Sequence, residues 1–215
     1  MKTTLADQIY EYLKKDIILG KYQHGQKITI KEIEDEFNVS STPVREALAK
    51  LNGDNLVEIT TNQGANVIEY TLENSMDVHE LSSLLDSYAL GYAMDHGNRE
   101  ELVTKLEKTF EISKTKHREG EIQELYYKNY FHDVFYEFVD NKIIIELKER
   151  YKAAFSMVVL KAHIDDEFHR AQQDHRDVLE AIKNDDKELA LKLFQKHFNL
   201  GKDRLLKYYS ADKEK

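Results

Sequence analysis

Phe37-Asn38-Val39-Ser40-Ser41-Thr42-Pro43-Val44-Arg45-Glu46-Ala47-Leu48 decides how the chain reads. Asn38 stands at the end of an apolar helical pattern, and asparagine tolerates the left-handed conformation that closes a helix. Ser40, Ser41 and Thr42 then offer three hydroxyls before Pro43. Proline lacks an amide hydrogen, which the first helical position does not use, so a new helix is expected from Pro43 to about Asp54. Val44, Ala47, Leu48 and Leu51 recur at helical spacing and form its inward face.

Working outward, Leu5, Ile9, Leu13, Ile17 and Ile18 predict a first helix that Gly20 stops. Lys21–Gln26 reads as a turn around Gly25. Thr29-Ile30-Lys31-Glu32 is a capping box, in which hydroxyl and carboxylate each take an amide of the other's residue. It opens a second helix through Ile33 and Phe37. On the far side, Leu56–Thr60 and Ala65–Ile68 are β-rich runs around Asn62-Gln63-Gly64, a hairpin signal. Helix, helix, short turn, helix, hairpin is the order of a winged helix-turn-helix, here over residues 1–70. The second helix of such a pair enters the DNA major groove with its N-terminal residues foremost. Its free amides and dipole favour phosphate, and an arginine there can bridge guanine O6 and N7. The plainer reading is that the hydroxyls cap the helix and Arg45 is solvated. The motif alone leaves both open.

Charge does not help the DNA reading. The 215 residues carry 31 Lys+Arg against 40 Asp+Glu, a net charge of −9. The first 70 hold eight Lys/Arg against eleven Asp/Glu, so a phosphate-binding face has to be local. No cysteine is present, which excludes disulfides and thiolate metal sites. No apolar run approaches the roughly 18 residues of a membrane span, and Met1–Ala6 lacks the apolar core of a signal peptide. A cytoplasmic protein without a membrane partner is expected.

The remainder reads as a linker at 71–75 and an all-helical bundle over 76–215. About six helices are expected, near 76–95, 99–118, 121–138, 142–160, 165–183 and 187–208. The fold class is therefore mainly α: an N-terminal winged helix-turn-helix plus a C-terminal helical bundle. Leu81, Leu84, Leu85, Tyr88 and Tyr92 suit either the bundle core or a dimer contact. Of nine histidines, His24, His79, His96, His117 and His163 fall in no convergent pattern, and His169 is a weak extra candidate. His132, His175 and His197 each lie on an apolar stripe that should face the bundle interior. Three imidazoles pointing into one bundle can hold a divalent metal through neutral nitrogens. By themselves they read more readily as three separate core histidines.

Ile17-Ile18-Leu19-Gly20, Gly25-Gln26-Lys27-Ile28, the run quoted at the start, Leu56-Val57 and Gly64 resemble the GntR family of bacterial regulators. The resemblance implies DNA contacts from the hydroxyls before the recognition helix, the arginine inside it and a wing glycine in the minor groove. Those positions are Ser40, Ser41, Thr42, Arg45 and Gly64. The family usually has Arg where this chain has Ser41, and Pro where it has His24. Asp77 to about Leu206 resembles the all-helical FCD type of effector domain, on Phe131-His132, Asn141, His175 before Leu179-Glu180-Ala181-Ile182, and His197. That resemblance implies a divalent metal (zinc, nickel or manganese) on His132, His175 and His197, with an Asp four residues before the first, and a small carboxylic acid beside it. Lys128 stands in place of that Asp, next to Asn129, and Ser82 stands where the family often has an effector-binding Arg. Lys128, Asn129 and Ser82 are the effector-binding candidates. One reading is a metal completed by water, effector or Asn129. The other has no metal, and Lys128 attracts an anion.

The expected function is a transcriptional regulator, acting as a repressor. As a homodimer it would bind an inverted-repeat operator in double-stranded DNA, under control of a small carboxylate-type effector. One alternative is a metal-dependent hydrolase on the three histidines. It lacks a base at a spacing such as His-Glu-x-x-His and leaves the winged helix unexplained. The other is a winged helix for protein–protein contact, favoured by the acidity and disfavoured by the Ser40–Arg45 cluster.

Overall fold

A computed structural model describes residues 4–61, 63–118, 130–161 and 167–212. Helix α1 (Leu5–Ile18) opens on Thr4, whose hydroxyl accepts from the Asp7 amide while the Asp7 carboxylate takes the Thr4 amide. Helix α2 (Ile30–Phe37) repeats the device with Thr29 and Glu32, and Asn38 closes it at φ 52°. Helix α3 (Ser41–Gly53) starts two residues earlier than expected, with Ser40 as N-cap. Pro43 thus sits third in the helix, still within the turn whose amides have no intrahelical partner.

Strands β1 (Lys27–Thr29), β2 (Val57–Thr60) and β3 (Gly64–Val67) form an antiparallel sheet in the order β1-β3-β2. β2 and β3 are the expected hairpin. β1 was not expected from the sequence, because three residues are too few to show an alternation. Gly64 faces Thr29 on one side and Thr60 on the other. Its φ is 131°, and a Cβ there would lie 2.0 Å from the Ile28 carbonyl oxygen. Only glycine lets β1 approach this closely.

The helical body contains α4 (Leu72–His96), α5 (Arg99–Arg118), α6 (Tyr130–Tyr136), α7 (Lys142–Lys161), α8 (Glu167–Lys183) and α9 (Lys187–Asp212). α4 starts on a Thr71 cap, so its first turn occupies the stretch read as a linker. The expected helix over 121–138 is described only from Tyr130. α4 packs on α6, α7 and α9, α5 on α6 and α8, and α8 on α9. Phe135 and Phe194 are fully buried at the centre and meet edge to face at 5.5 Å, which contributes about 0.5–1.5 kcal/mol beyond burial.

The core of the N-terminal head, with Ile9, Leu13, Ile33 and Leu51, does not end at the head. It runs on into Val78 of α4, Leu205 of α9, and Ala153, Ala154, Met157 and Val158 of α7. Tyr209 ties the join: its hydroxyl donates to the Tyr70 carbonyl at 2.5 Å and lies 2.8 Å from Ser75 Oγ. On α4, Leu85 is core, whereas Leu84 and Tyr88 are 64% and 43% exposed. Among the described residues no helix is long and apolar enough to cross a membrane.

Candidate functional site

Two groups of residues stand out, one on the head and one inside the body. On the head, the buried side chains of Val44, Ala47, Leu48 and Leu51 fix α3 against the core. That anchoring points the start of the helix outward. Ser40 and Thr42 are exposed, Ser41 is half-buried and Arg45 is exposed. Ser40 makes no side-chain capping bond, so its hydroxyl is not consumed in holding the helix. Gly64 lies buried in the sheet beneath the Ile28 carbonyl. Thr61 and Gln63 are exposed between β2 and β3, and Lys27 Nζ donates to Gln63 Oε1 at 2.6 Å. Ion pairs engage Lys14 with Asp54, Lys21 with Asp16, Lys31 with Asp35 and Lys50 with Asp7. Among the described head residues, Lys15, Lys27 and Arg45 are the cations left without an ion pair. Arg45 is exposed near the N-terminal end of α3.

Inside the body, α6, α8 and α9 bring His132, His175 and His197 together. Each offers one ring nitrogen, and the three lie within 4.8 Å of one another. His132 Nε2 is 3.1 Å from His175 Nε2. Burial keeps both rings neutral: His132 is pushed down to about 4, and His175 falls well below the usual imidazole range, helped by its two histidine neighbours. His175 stacks on Phe131 at 4.2 Å, and its Nδ1 is buried without a hydrogen-bond partner. His197 Nδ1 lies 3.4 Å from an Asp174 carboxylate oxygen. Burial raises the Asp174 carboxyl, and the His197 contact together with the Lys196 and Arg170 charges more than offsets it.

Sequence reasoning missed the group behind His132. Asp86 of α4 is fully buried, and its Oδ2 lies 2.7 Å from His132 Nδ1. Its Oδ1 accepts from Tyr136 Oη at 2.7 Å and Lys148 Nζ at 2.9 Å. Burial would raise the Asp86 carboxyl, but the Lys148 charge and the His132 contact hold it well below the carboxylate range. Lys148 also lies 3.8 Å from Asp133, which pairs with Lys152. An acid on the buried stripe of α4 is the signal that could have found Asp86, by the same criterion that found the histidines.

His79, set aside from sequence, is not among the three converging histidines. It is buried and edge-on to Phe198 at 5.5 Å. Burial pushes it down to about 4. Phe198 also packs on His132 and His197, so His79 borders the same interior. His169 is exposed. Ser82 is buried on α4 one turn before Asp86. Lys128 and Asn129 lie outside the described residues. Three imidazoles with converging ring nitrogens, two of them backed by carboxylates, form a donor set that fits a divalent metal.

A winged helix-turn-helix joined to a helical body with a buried polar centre defines a ligand-responsive DNA-binding protein. Residues 5–67 match the family described as "Bacterial regulatory proteins, gntR family", and residues 77–200 match the FCD domain. The chain belongs to the GntR family of transcriptional regulators, with an FCD effector-binding domain, and is not an enzyme. It is 26% identical over 211 residues to the uncharacterized HTH-type transcriptional regulator YdhC of Bacillus subtilis, covering 96% of this chain and 93% of that one. It is 24% identical over 194 residues to the gluconate operon transcriptional repressor of Bacillus licheniformis, covering 87% and 79%. A GntR regulator from Rhodococcus sp. RHA1 shares the fold at a TM-score of 0.77 and 17% identity, over 94% of this chain and 97% of that one. Escherichia coli McbR/YncC does so at 0.69 and 20%, over 96% and 99%.

Proposed function

We propose that the chain is a repressor that binds an inverted-repeat operator as a homodimer and is controlled by a small anionic, carboxylate-type metabolite in the helical body. Head and body divide at 1–70 and 76–215, with 71–75 as the join, where the first turn of α4 lies. Ser40, Ser41, Thr42 and Arg45 read the DNA, and Gly64 supports the wing that presents Thr61 and Gln63. A divalent metal, zinc, nickel or manganese, is held by His132, His175 and His197. It supplies a Lewis-acid anchor for the effector carboxylate. Ser82, Lys128 and Asn129 complete the effector site.

The observation that carries this reading is the convergence of three imidazoles, His132 and His175 buried and His197 half-buried, inside the body of a chain whose recognition helix has an outward polar end. The gluconate operon repressor among the relatives supports repression. Leu84 and Tyr88, exposed together on α4, support a two-fold contact. Helix α7 supports coupling, because it carries Lys148 beside Asp86 and, further along, Ala153–Val158 against α1. An effector that prefers one arrangement of α7 would shift the population of head positions.

The test is selection of genomic DNA fragments at two salt concentrations, with and without zinc and a panel of small organic acids. Enrichment of one inverted repeat, lost on adding an acid, is the expected result. No enrichment under any condition would overturn the operator reading. Enrichment that no acid or metal alters would overturn the effector reading.

A further inference from the structure

We propose that Asp86 is the positioning residue of the three-histidine centre: its Oδ2 holds His132 in the Nδ1–H tautomer, so that the Nε2 lone pair faces His175 and His197. The inference deepens the reading of that centre given above. An ionised carboxylate only accepts hydrogen bonds, so the 2.7 Å contact places the proton on His132 Nδ1. A neutral imidazole carries one proton, which leaves His132 Nε2 as a bare lone pair. His175 Nε2 lies 3.1 Å away. Two lone pairs at that distance repel, so either His175 carries its proton on Nε2 or a cation sits between them. Either way His175 Nδ1 is buried with no partner, as a lone pair in the first arrangement and as an N–H in the second. Either way Asp86 does the same.

Asp86 cannot turn inward to become a ligand. Its Oδ1 accepts from Tyr136 and Lys148, arriving from α6 and α7, and both would have to let go. A carboxylate behind a ligating imidazole fixes ring orientation and raises its basicity, and losing such a partner typically weakens metal binding 10–100-fold. Two carboxylates stand next to the centre, Asp86 at 2.7 Å from His132 and Asp174 at 3.4 Å from His197, and of the two Asp86 is the fully buried one.

The test uses the full chain, metal-stripped and labelled with 15N at histidine. Long-range 1H–15N correlations report which nitrogen of His132 is protonated. The wild type is expected to show Nδ1–H. Asp86→Leu should convert His132 largely to Nε2–H and weaken zinc binding 10–100-fold in chelator competition. Leu102→Ala, a cavity elsewhere in the same core, should leave the tautomer unchanged. If Asp86→Leu does not fold, Asp86→Leu with Lys148→Met removes both buried charges together. An Nε2–H form in the wild type, or a pure Nδ1–H form without Asp86, overturns the proposal. A wild type that binds no zinc but shows the Asp86-dependent tautomer supports the proposal and removes the metal reading instead.

Discussion

Head and body use polar side chains in opposite ways. Among the described residues of the head the interior is apolar apart from Asp16, and the residues proposed to read DNA stand at its surface. In the body Asp86, His132, His175, Ser82 and Lys148 are all buried. The difference follows from the size of the ligand. A duplex is too large to enclose, so it is met by a rigid surface with local charge. A small metabolite has to be enclosed, and the enclosing groups must satisfy one another when it is absent. Polar groups in the head can therefore be changed at little structural cost, whereas those in the body carry folding and binding together.

The widest contrast is between buried and exposed ion pairs. Lys148→Met leaves the Asp86 carboxylate in the core with its main counter-charge gone, and should destabilise the fold by about 3–5 kcal/mol in urea unfolding. Lys31→Met breaks an exposed pair of the head and should leave the unfolding midpoint unchanged. Equal losses from the two variants would break the comparison.

Acid should attack the body first. Burial pushes His79 and His132 down from 6.5 to about 4. The unfolded chain therefore binds these protons at a higher pH than the folded one. Stability is full above pH 6.5 and falls as pH drops towards 4, each histidine removing about 3 kcal/mol by the lower limit. Denaturant titrations of metal-stripped protein at pH 7.5, 5.5 and 4.5 check the slope. A flat profile would mean that the two rings are solvated in the folded state.

Arg45→Ala should lose about 1–3 kcal/mol of specific operator binding per half-site with no change in unfolding midpoint. His175→Ala should do the converse, keeping DNA binding while abolishing the effector response. Fluorescence anisotropy with operator DNA, with and without effector, measures both. An effector response that survives His175→Ala would move the pocket elsewhere.

The head was legible because its signals are local. Thr29 and Glu32 are three residues apart, and one helical turn decides what they do; Asn38 closes its helix through its own backbone. β1 was not legible, since Lys27–Thr29 becomes a strand only by pairing with β3, more than thirty residues on. The body was legible as helices and as three inward histidines. Asp86 and Lys148 were not, because their meaning lies in contacts 46 and 62 residues away. An isolated charged residue reads as solvent-facing until its partners are known. His79 was missed for the same reason: its partners lie on α7 and α9.

The smallest expected effect concerns the one family position of the recognition turn that has changed. Ser41 begins α3 and is half-buried, between exposed Ser40 and Thr42. Ser41→Arg restores the residue usual in the family and adds a cation where the head has few that are not already paired. A new phosphate contact would steepen the dependence of log K on log salt by about one unit per half-site and strengthen binding evenly across operators. A new base contact would strengthen only those operators with a guanine in reach. An unchanged salt slope and unchanged sequence preference would mean that the first residue of α3 does not face the duplex. Reading would then rest on Ser40, Thr42 and Arg45, and the contrast between an open head and an enclosed body would narrow to those three side chains.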